Sequence, residues 1–411
     1  MFKGFIMSVT PVRSPSVLMT ILAVVLFTLL CYTVIGLQMA VVPLFVREKL
    51  GFSSAMAGFA VSVQYLATFA TRAGAGRRID TIGPKKVVQV GLAAGVVSGV
   101  MLAISGVLTS LPALALLLVI VGRIILGFAE SWVATAAIVW NIRRVGVART
   151  AQVISWNGIC SYGGIALGAP VATLLYHAPS LSVFGGFCGV GLLSAALMGI
   201  GLPLAHRQPA VTPLPATKPH SFFHILSRVM PYGLALASGS IGFGAISALL
   251  ALYFADQNWS GAAIGLSLFG SVFVLTRFVF TSQIAKRGGM AVAFVSLLVE
   301  ALGLSVLAWG NSPLWANVGA ALSGAGFSLL FPALGVGAVE QIGPENRGAA
   351  IGAFSVFLDI AIGISGPLLG LIIPLWGYGV LFQITALCCL LGMMLCVVVK
   401  GRQQHHTAGV S

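Results

Sequence analysis

The stretch Gly76–Lys86, GRRIDTIGPKK, places five charged residues within eleven positions of a chain that is only 7 % charged. On both sides of it the sequence is continuously apolar and rich in Gly, Ala and Leu. A short charged stretch between long apolar segments is typical of a loop at a membrane surface. We therefore expect this stretch to connect two membrane-spanning segments.

The composition supports an integral membrane protein. The chain has 411 residues, of which 58 % are hydrophobic, with 22 Lys and Arg against 8 Asp and Glu. A spanning helix needs roughly 20 apolar residues, and the uncharged segment Val17–Val46 is too long for a signal-peptide core. The apolar runs are continuous and lack the alternating polarity of barrel strands, so an all-α membrane protein is predicted.

Twelve spans can be assigned, and they indicate an orientation. They lie at 17–46, 53–75, 84–107, 112–140, 150–176, 181–205, 228–254, 261–285, 288–310, 313–340, 347–374 and 376–399. Most Lys and Arg residues, with Arg72 and Arg277 counted among them, are assigned to the termini or to connections on one face. By the positive-inside rule both termini are predicted to be cytoplasmic. The net charge of +14 then reflects orientation and lipid-headgroup contact, and nucleic-acid binding is not expected.

The chain divides into two similar parts. Prolines interrupt the polar stretch after residue 205, which predicts a six-helix bundle at 1–205, a cytoplasmic linker at 206–227, a second bundle at 228–399 and a tail at 400–411. Short matches recur about 200 positions apart. They pair Thr71-Arg72 with Thr276-Arg277, Ile79 with Ile284, Gly83 with Gly288, Gly127-Phe128 with Gly326-Phe327, Arg149 with Arg347, and Pro170 with Pro367. Six spans separate the copies, so a parallel repeat is predicted.

The opening stretch has a specific pattern of Gly, Asp and Lys. Its Gly-x-x-x-Asp-x-x-Gly-x-Lys-Lys spacing, at Gly76, Asp80, Gly83, Lys85 and Lys86, resembles the loop signature of the major facilitator superfamily. The resemblance implies the twelve-helix fold of that family. It also implies that this loop is a cytoplasmic gate whose acid and bases hold the outward-open state.

Other segments extend the resemblance. Arg123 and Gly127 resemble the family's fourth-helix Arg-x-x-x-Gly pattern, and Gly168 with Pro170 resembles its antiporter motif, with one residue inserted. We expect four residues to bend helices, namely Pro170, Pro332, Gly366 and Pro367. The chain looks most like bacterial drug- and sugar-efflux-type permeases, which implies proton antiport in the bacterial inner membrane.

Charges inside the bilayer are candidates for function because each costs at least about 2.5–3.5 kcal/mol to insert. Arg123 and Glu130 share one face of the fourth span, about 10 Å apart, and each needs a partner from another helix. Asp359 lies among small residues in the eleventh span and is expected to face protein or a cavity. These three residues are the predicted proton-coupling set, in which the resemblance places Arg123 at the central cavity. Glu300 is expected to be partly lipid-facing.

Polar and aromatic residues in the spans could line a substrate cavity. The candidates are Gln38, Gln64, Trp132, Asn157, Tyr162 and Phe331. An aromatic residue in a membrane helix is more often part of the core or the interface. The six cysteines lie in apolar runs without metal-ligand spacing, so neither a metal nor a cofactor is predicted.

The sequence favours a secondary transporter that exports a small organic molecule, drug-, sugar- or metabolite-like, by proton antiport. The nearest alternative is a uniporter or proton-coupled importer of a small organic anion. An ATP-driven pump is disfavoured because the chain has no Gly-Lys dipeptide and hence no P-loop. An enzyme is not predicted, since His-Glu-x-x-His and Gly-x-Ser-x-Gly are both missing. By resemblance the protein works as a monomer, with the substrate, protons and membrane lipid as its partners, and the substrate remains open.

Overall fold

The computed structural model describes residues 16–146, 149–177, 185–212, 222–342 and 347–408. Within these ranges the chain is entirely helical apart from short turns. The helices are α1 Val17–Leu44, α2 Ser54–Ile82, α3 Pro84–Val107, α4 Pro112–Val145, α5 Thr150–Tyr176, α6 Gly186–Arg207, α7 Phe222–Asp256, α8 Ala262–Phe280, α9 Ser282–Arg287, α10 Gly289–Trp309, α11 Pro313–Ser328, α12 Leu330–Glu340 and α13 Arg347–Ala408. A π-helical turn, Phe45–Lys49, extends α1.

Local sequence signals explain where several helices begin. Ser16 and Ser53 cap α1 and α2 by accepting a hydrogen bond from a backbone N–H of the first turn. Helices α3, α4 and α11 begin with proline, whose missing N–H would have no intrahelical partner at that position. The first residues of these helices agree with the predicted spans that begin at residues 84, 112 and 313.

Ten segments of the described chain are long and apolar enough to cross a membrane. The predicted number is twelve. Helix α2 is not among the ten, and the single segment Ala350–Gly401 replaces predicted spans eleven and twelve. Within that segment Gly377 has φ 74° and ψ 178°, so the helix is interrupted there. Helices α11 and α12 together form one of the ten segments.

The helices pack mainly within an early part, α1 to α6, and a late part, α7 to α13, of the chain. Helix α1 packs against α4 and α5, α2 packs against α4, and α3 packs against α4 and α6. In the later part of the chain, α7 packs against α13, α8 against α11, and α10 against α11 and α13. The two parts meet through α2 with α13, α5 with α8, and α1 with α7. Residues on these helices therefore lie where the early part of the chain contacts the late part.

The connection predicted over Gly76–Lys86 is mostly helix. Helix α2 continues to Ile82, and a single residue, Gly83, separates it from α3. The charged residues before Gly83 are compatible with a helix. Gly83 itself has φ 86° and ψ 151°, a backbone conformation that glycine adopts without steric strain. Gly288, its predicted repeat, has φ 83° and ψ 147°. The two matched positions therefore share one backbone geometry.

The helices that flank the linker extend into it. Helix α6 continues to Arg207 and α7 begins at Phe222, both within the predicted linker at 206–227. Residues 213–221 lie outside the described ranges. In the predicted tail at 400–411, α13 remains helical to Ala408.

The residues predicted to bend helices differ in whether the helix is interrupted beside them. Helices α5 and α13 continue through Pro170 and Pro367 without interruption, and Gly366 is also helical. By contrast, α11 ends at Ser328 and α12 begins two residues before Pro332. A proline cannot donate to the carbonyl four residues earlier and clashes with it, which here releases the Ser328 carbonyl and explains the break.

Candidate functional site

The carboxylate of Glu130, in α4, is buried in a hydrogen-bonded cluster. Tyr32 Oη donates to Oε1 at 2.9 Å, while Gln64 Nε2 and Thr68 Oγ1 donate to Oε2 at 2.8 and 3.0 Å. These donors come from α1 and α2 and are all neutral. Within the described ranges no cation lies at ion-pair distance from Glu130. Hydrogen bonds from neutral side chains therefore compensate the burial of this acid.

Arg123 lies on the same face of α4 as Glu130 but has separate partners. Its Nη2 donates to the carbonyl of Val61 at 2.8 Å, and its Nη1 donates to Gln38 Oε1 at 3.3 Å. The side chain is fully buried. The guanidinium is thus enclosed between the α2 backbone and Gln38, and the implied position of Arg123 at a central cavity stays a prediction.

Asp359, in α13, forms an ion pair with Arg72 of α2. Arg72 Nε lies 2.6 Å from Oδ2 and Nη2 lies 2.8 Å from Oδ1, a bidentate arrangement. Asp359 is 1 % exposed and Arg72 is 25 % exposed. The assignment of Arg72 to a cytoplasmic connection is wrong, because α2 continues ten residues beyond it. The ion pair joins the early part of the chain to the late part.

One face of α2 contacts the carboxylates of both Glu130 and Asp359. Gln64, Thr68 and Arg72 recur at four-residue spacing and therefore lie on one side of the helix. The first two bind Glu130 and the third binds Asp359. Sequence reasoning missed Thr68 and Arg72 as site residues, although this polar spacing within a span could have indicated them.

An aromatic cluster lies where α5 meets α8. The ring of Tyr162 stacks on Phe273 with centroids 3.6 Å apart, and the rings of Phe243 and Phe327 lie 5.7 and 6.0 Å away. The guanidinium carbon of Arg277 lies 4.7 Å from the centroid of the Phe273 ring. Arg277 is 7 % exposed, so assigning it to a connection is also wrong. Of these residues, only Tyr162 was predicted.

The other predicted cavity residues are distributed over several sites. Gln38 and Gln64 join the Arg123 and Glu130 clusters described above. Asn157 accepts a hydrogen bond from Thr28 at 2.8 Å. Trp132 packs on Phe128 at 4.4 Å, and Phe331 packs near Phe354 at 5.1 Å. Trp132 and Phe331 thus have ring partners other than Tyr162, and their place in one cavity with Tyr162 stays a prediction.

The predicted gate residues make contacts within the early part of the chain. Asp80 forms an ion pair with Arg143 of α4 at 2.9 Å. Lys85 Nζ donates to the carbonyls of His206 and Gln208 at 2.7 and 2.8 Å. Gly76 is a helical residue of α2 and Lys86 is exposed. The described contacts of Asp80 and Lys85 thus tie α2 and α3 to α4 and the end of α6.

Glu300 is fully buried in α10, which corrects the expected lipid-facing position. Neither carboxyl oxygen makes a hydrogen bond with any described residue. The side chain packs against Gly239 and Gly242 of α7, where a Cβ atom would come within 2.7 and 2.9 Å of its oxygens. The two glycines make room for this carboxyl between α7 and α10.

The described residues contain no group of three His, Cys, Asp or Glu side chains that could hold a metal ion.

The model of the Major Facilitator Superfamily matches residues 24–360 and 290–410. The chain belongs to this superfamily. Members of this superfamily are transporters and not enzymes. The chain is a multi-pass membrane protein, as both its family and its apolar helices indicate.

Relatives with similar sequences carry the same family name. An uncharacterized MFS-type transporter of Burkholderia pseudomallei strain 1106a is 46 % identical over 385 residues, covering 93 % of this chain and 92 % of the relative. An uncharacterized MFS-type transporter of Pseudomonas aeruginosa strain UCBPP-PA14 is 43 % identical over 390 residues, covering 95 % of each. Both matches extend over nearly the whole chain.

Solved structures share the fold at low sequence identity. A variant of the nucleoside transporter NupG has a TM-score of 0.75 at 15 % identity, covering 92 % of this chain and 99 % of that chain. The xylose transporter XylE from E. coli, in an inward-open conformation, has a TM-score of 0.73 at 14 % identity, covering 92 % and 95 %. These matches establish the architecture of this superfamily member.

Proposed function

We propose that this protein is a secondary active transporter that exports a small organic molecule across the bacterial inner membrane in exchange for protons. The observation that carries the proposal is the pair of buried carboxyl groups, Glu130 and Asp359, which contact a single face of α2. Helix α2 also meets α13 in the late part of the chain. A proton on either acid therefore acts on a helix at the interface between the two parts.

Asp359 is the proposed switch between conformations. Its ion pair with Arg72 holds α2 against α13. Protonation of Asp359 removes the negative charge from this pair and weakens the attraction. The two helices can then separate, which opens a path to the substrate.

Glu130 is the proposed second proton carrier. Its neutral partners Tyr32, Gln64 and Thr68 can rotate or reorient to satisfy either the carboxylate or the protonated acid. Since no described cation fixes its charge, Glu130 can take up and release a proton without breaking an ion pair. Arg123 would then support the α2 backbone beside this site.

The proposed architecture is two six-helix bundles with both termini in the cytoplasm. The matching backbone at Gly83 and Gly288 and the packing within each part support this arrangement. With the termini inside, the ion pair between Asp80 and Arg143 lies at the cytoplasmic end and serves as a gate brace. The transporter would work as a monomer in contact with membrane lipid.

Gradient-driven flux in proteoliposomes tests the proposal. The purified protein is given inside-acid or inside-alkaline gradients and assayed with uridine, xylose, benzoate and a cationic dye. We expect flux whose direction reverses with the gradient and which is lost in Glu130→Gln and in Asp359→Asn. Glu340→Gln, an exposed carboxyl at the end of α12, is the matched control and should behave as wild type. Flux indifferent to gradient and to both variants would reject proton coupling.

A second candidate is uniport or proton-coupled uptake of a small organic anion. It is favoured by Arg277, a buried cation with no acidic partner among the described residues. The same assay separates the candidates. Antiport moves substrate against the direction of the protons, uptake by symport moves both together, and uniport ignores the pH gradient.

A further inference from the structure

Arg277 carries a charge for which the described structure provides little compensation. It lies in the last turns of α8 and is 7 % exposed. Its Nη2 donates to the Ser328 carbonyl, its Nε makes no hydrogen bond, and no carboxylate of the described chain lies at ion-pair distance. Burying a charge is costly unless it is paired and hydrogen-bonded. A residue retained at that cost calls for a functional explanation.

The repeat shows what is missing at this position. Arg277 follows Thr276 as Arg72 follows Thr71, and Arg72 meets Asp359 in α13. Helix α13 corresponds to α5, where the positions matched to Asp359 are Ser161 and Tyr162. Ser161 Oγ donates to its own helix, at the Asn157 carbonyl. Among the described residues, one copy of the repeat therefore has a cation with its anion, and the other has a cation without a carboxylate partner.

The contact with Ser328 provides partial compensation. The break before Pro332 frees this carbonyl, which lies at the C-terminal end of α11, where the helix dipole is equivalent to about half a negative charge. One N–H group of the guanidinium satisfies it. Among the described residues, Nε has no hydrogen-bond acceptor and the guanidinium has no carboxylate partner.

The surroundings of Arg277 suit a ligand with an apolar body. Phe273 lies beneath the guanidinium, and Tyr162 and Phe327 extend the aromatic surface. On the α5 side the neighbour is Gly158, whose position has no side chain between the backbone and the guanidinium. Since α5 and α8 belong to the two different parts of the chain, motion between these parts would open this contact.

We propose that the transported molecule is a small organic anion whose carboxylate or sulfonate pairs with Arg277 and whose planar apolar body lies among Tyr162, Phe243, Phe273 and Phe327. The planar fork of a guanidinium matches such acid groups through two parallel hydrogen bonds. The inference rests on the proposed transport function and specifies its substrate class. Exchange of one external proton for one internal anion moves two positive charges inward, so an inside-negative potential would drive export.

Binding in detergent solution tests the proposal with defined probes. Benzoate and benzenesulfonate are compared with benzamide and benzenesulfonamide by their effect on the unfolding temperature of the purified protein. We expect the two anions to raise the unfolding temperature with concentration, and the neutral amides to bind at least about tenfold more weakly. Arg277→Gln should lose at least tenfold in anion affinity, and Arg277→Lys should retain part of it. Arg287→Gln, an exposed cation in α9, should leave the affinity unchanged.

A second variant supplies the missing acid. Gly158→Asp places a carboxylate against the flexible end of the Arg277 side chain. We expect this variant to fold, to be at least as heat-stable as wild type, and to have lost anion binding. Its behaviour separates loss of the site from loss of the fold, which Arg277→Gln alone would not.

Three results would overturn the proposal. They are equal binding of anions and amides, no anion-dependent shift in the wild type, and unchanged anion affinity in Arg277→Gln. The wild type could also fail to bind the anions while Arg277→Gln unfolds at a lower temperature. Arg277 would then have a structural role, in which it caps the C-terminal end of α11. Because binding is measured without a gradient, flux that ignores the pH gradient would reject proton coupling while leaving the anion site intact.

Discussion

Asp359 and Arg72 form a bidentate ion pair although 287 positions separate them in the chain. The pair joins α2 to α13, two helices from different parts of the molecule, and Asp359 is almost completely buried. Removing one partner of a buried ion pair leaves the other charge uncompensated. The stability and the conformational equilibrium of this transporter should therefore both depend on this contact.

We expect Asp359→Asn to lower the free energy of unfolding by about 3 kcal/mol, because Arg72 then remains without its partner. The charge-exchanged double variant, Arg72→Asp with Asp359→Arg, should recover part of this loss. Thermal unfolding in detergent measures both effects. A double variant no more stable than Asp359→Asn would show that the contact is not mainly electrostatic.

The Asp80–Arg143 ion pair should behave differently, because Asp80 is 46 % exposed. Exposed ion pairs contribute about 0–1 kcal/mol. We expect Asp80→Asn to unfold within a few degrees of wild type yet to change the rate of substrate flux if the pair braces a gate. Comparing unfolding temperature with initial flux separates these two effects, and normal flux in this variant would argue against a gating role.

Gly127 permits the close approach of α4 to α2 beside the Glu130 cluster. A Cβ atom there would lie 2.9 Å from the Cβ of Ala67 and would collide with the backbone of Gln64. We expect Gly127→Ala to destabilise the protein by about 1–3 kcal/mol, the usual cost of overpacking. Gly74→Ala, in α2 with no atom within 4 Å of the added Cβ, is the matched control. It should be neutral or up to about 1 kcal/mol stabilising by helix propensity.

Glu300 should tolerate replacement by an uncharged residue of similar shape. Its oxygens make no hydrogen bond within the described chain, and its site is lined by α7 glycines. We expect Glu300→Gln to retain folding and flux, while Glu300→Lys should fail to fold because a longer charged side chain is buried there. Size-exclusion profiles and flux measure this. Loss of proton-driven flux in Glu300→Gln, with folding retained, would add Glu300 to the proton path.

Much of the fold could be predicted because membrane helices are encoded by local sequence. Continuous apolar runs, capping serines and prolines at helix starts are read without knowledge of neighbours. The positive φ shared by Gly83 and Gly288 is also local, since glycine adopts this backbone conformation without strain. The end of α2 was misplaced because charged residues continue a helix as readily as they form a loop.

The candidate site could be predicted only in part. Glu130, Asp359 and Tyr162 were found because polar groups in apolar spans are costly and therefore conspicuous. Arg72 and Arg277 were missed because a basic residue near a span end looks like a loop charge until the helix is seen to continue past it. The ring partners of Trp132 and Phe331 could not be predicted, since the face that a helix turns toward its neighbours depends on packing.

The sequence alone was enough to indicate a helical membrane transporter with a few charges inside its spans. Those properties follow from hydropathy, spacing and backbone preference, which act over short distances along the chain. The pairing of Asp359 with Arg72 and the contact of Arg277 with the Phe273 ring became apparent from the packed helices. Partners for buried charges come from helices distant in the chain, and their choice depends on how whole helices pack.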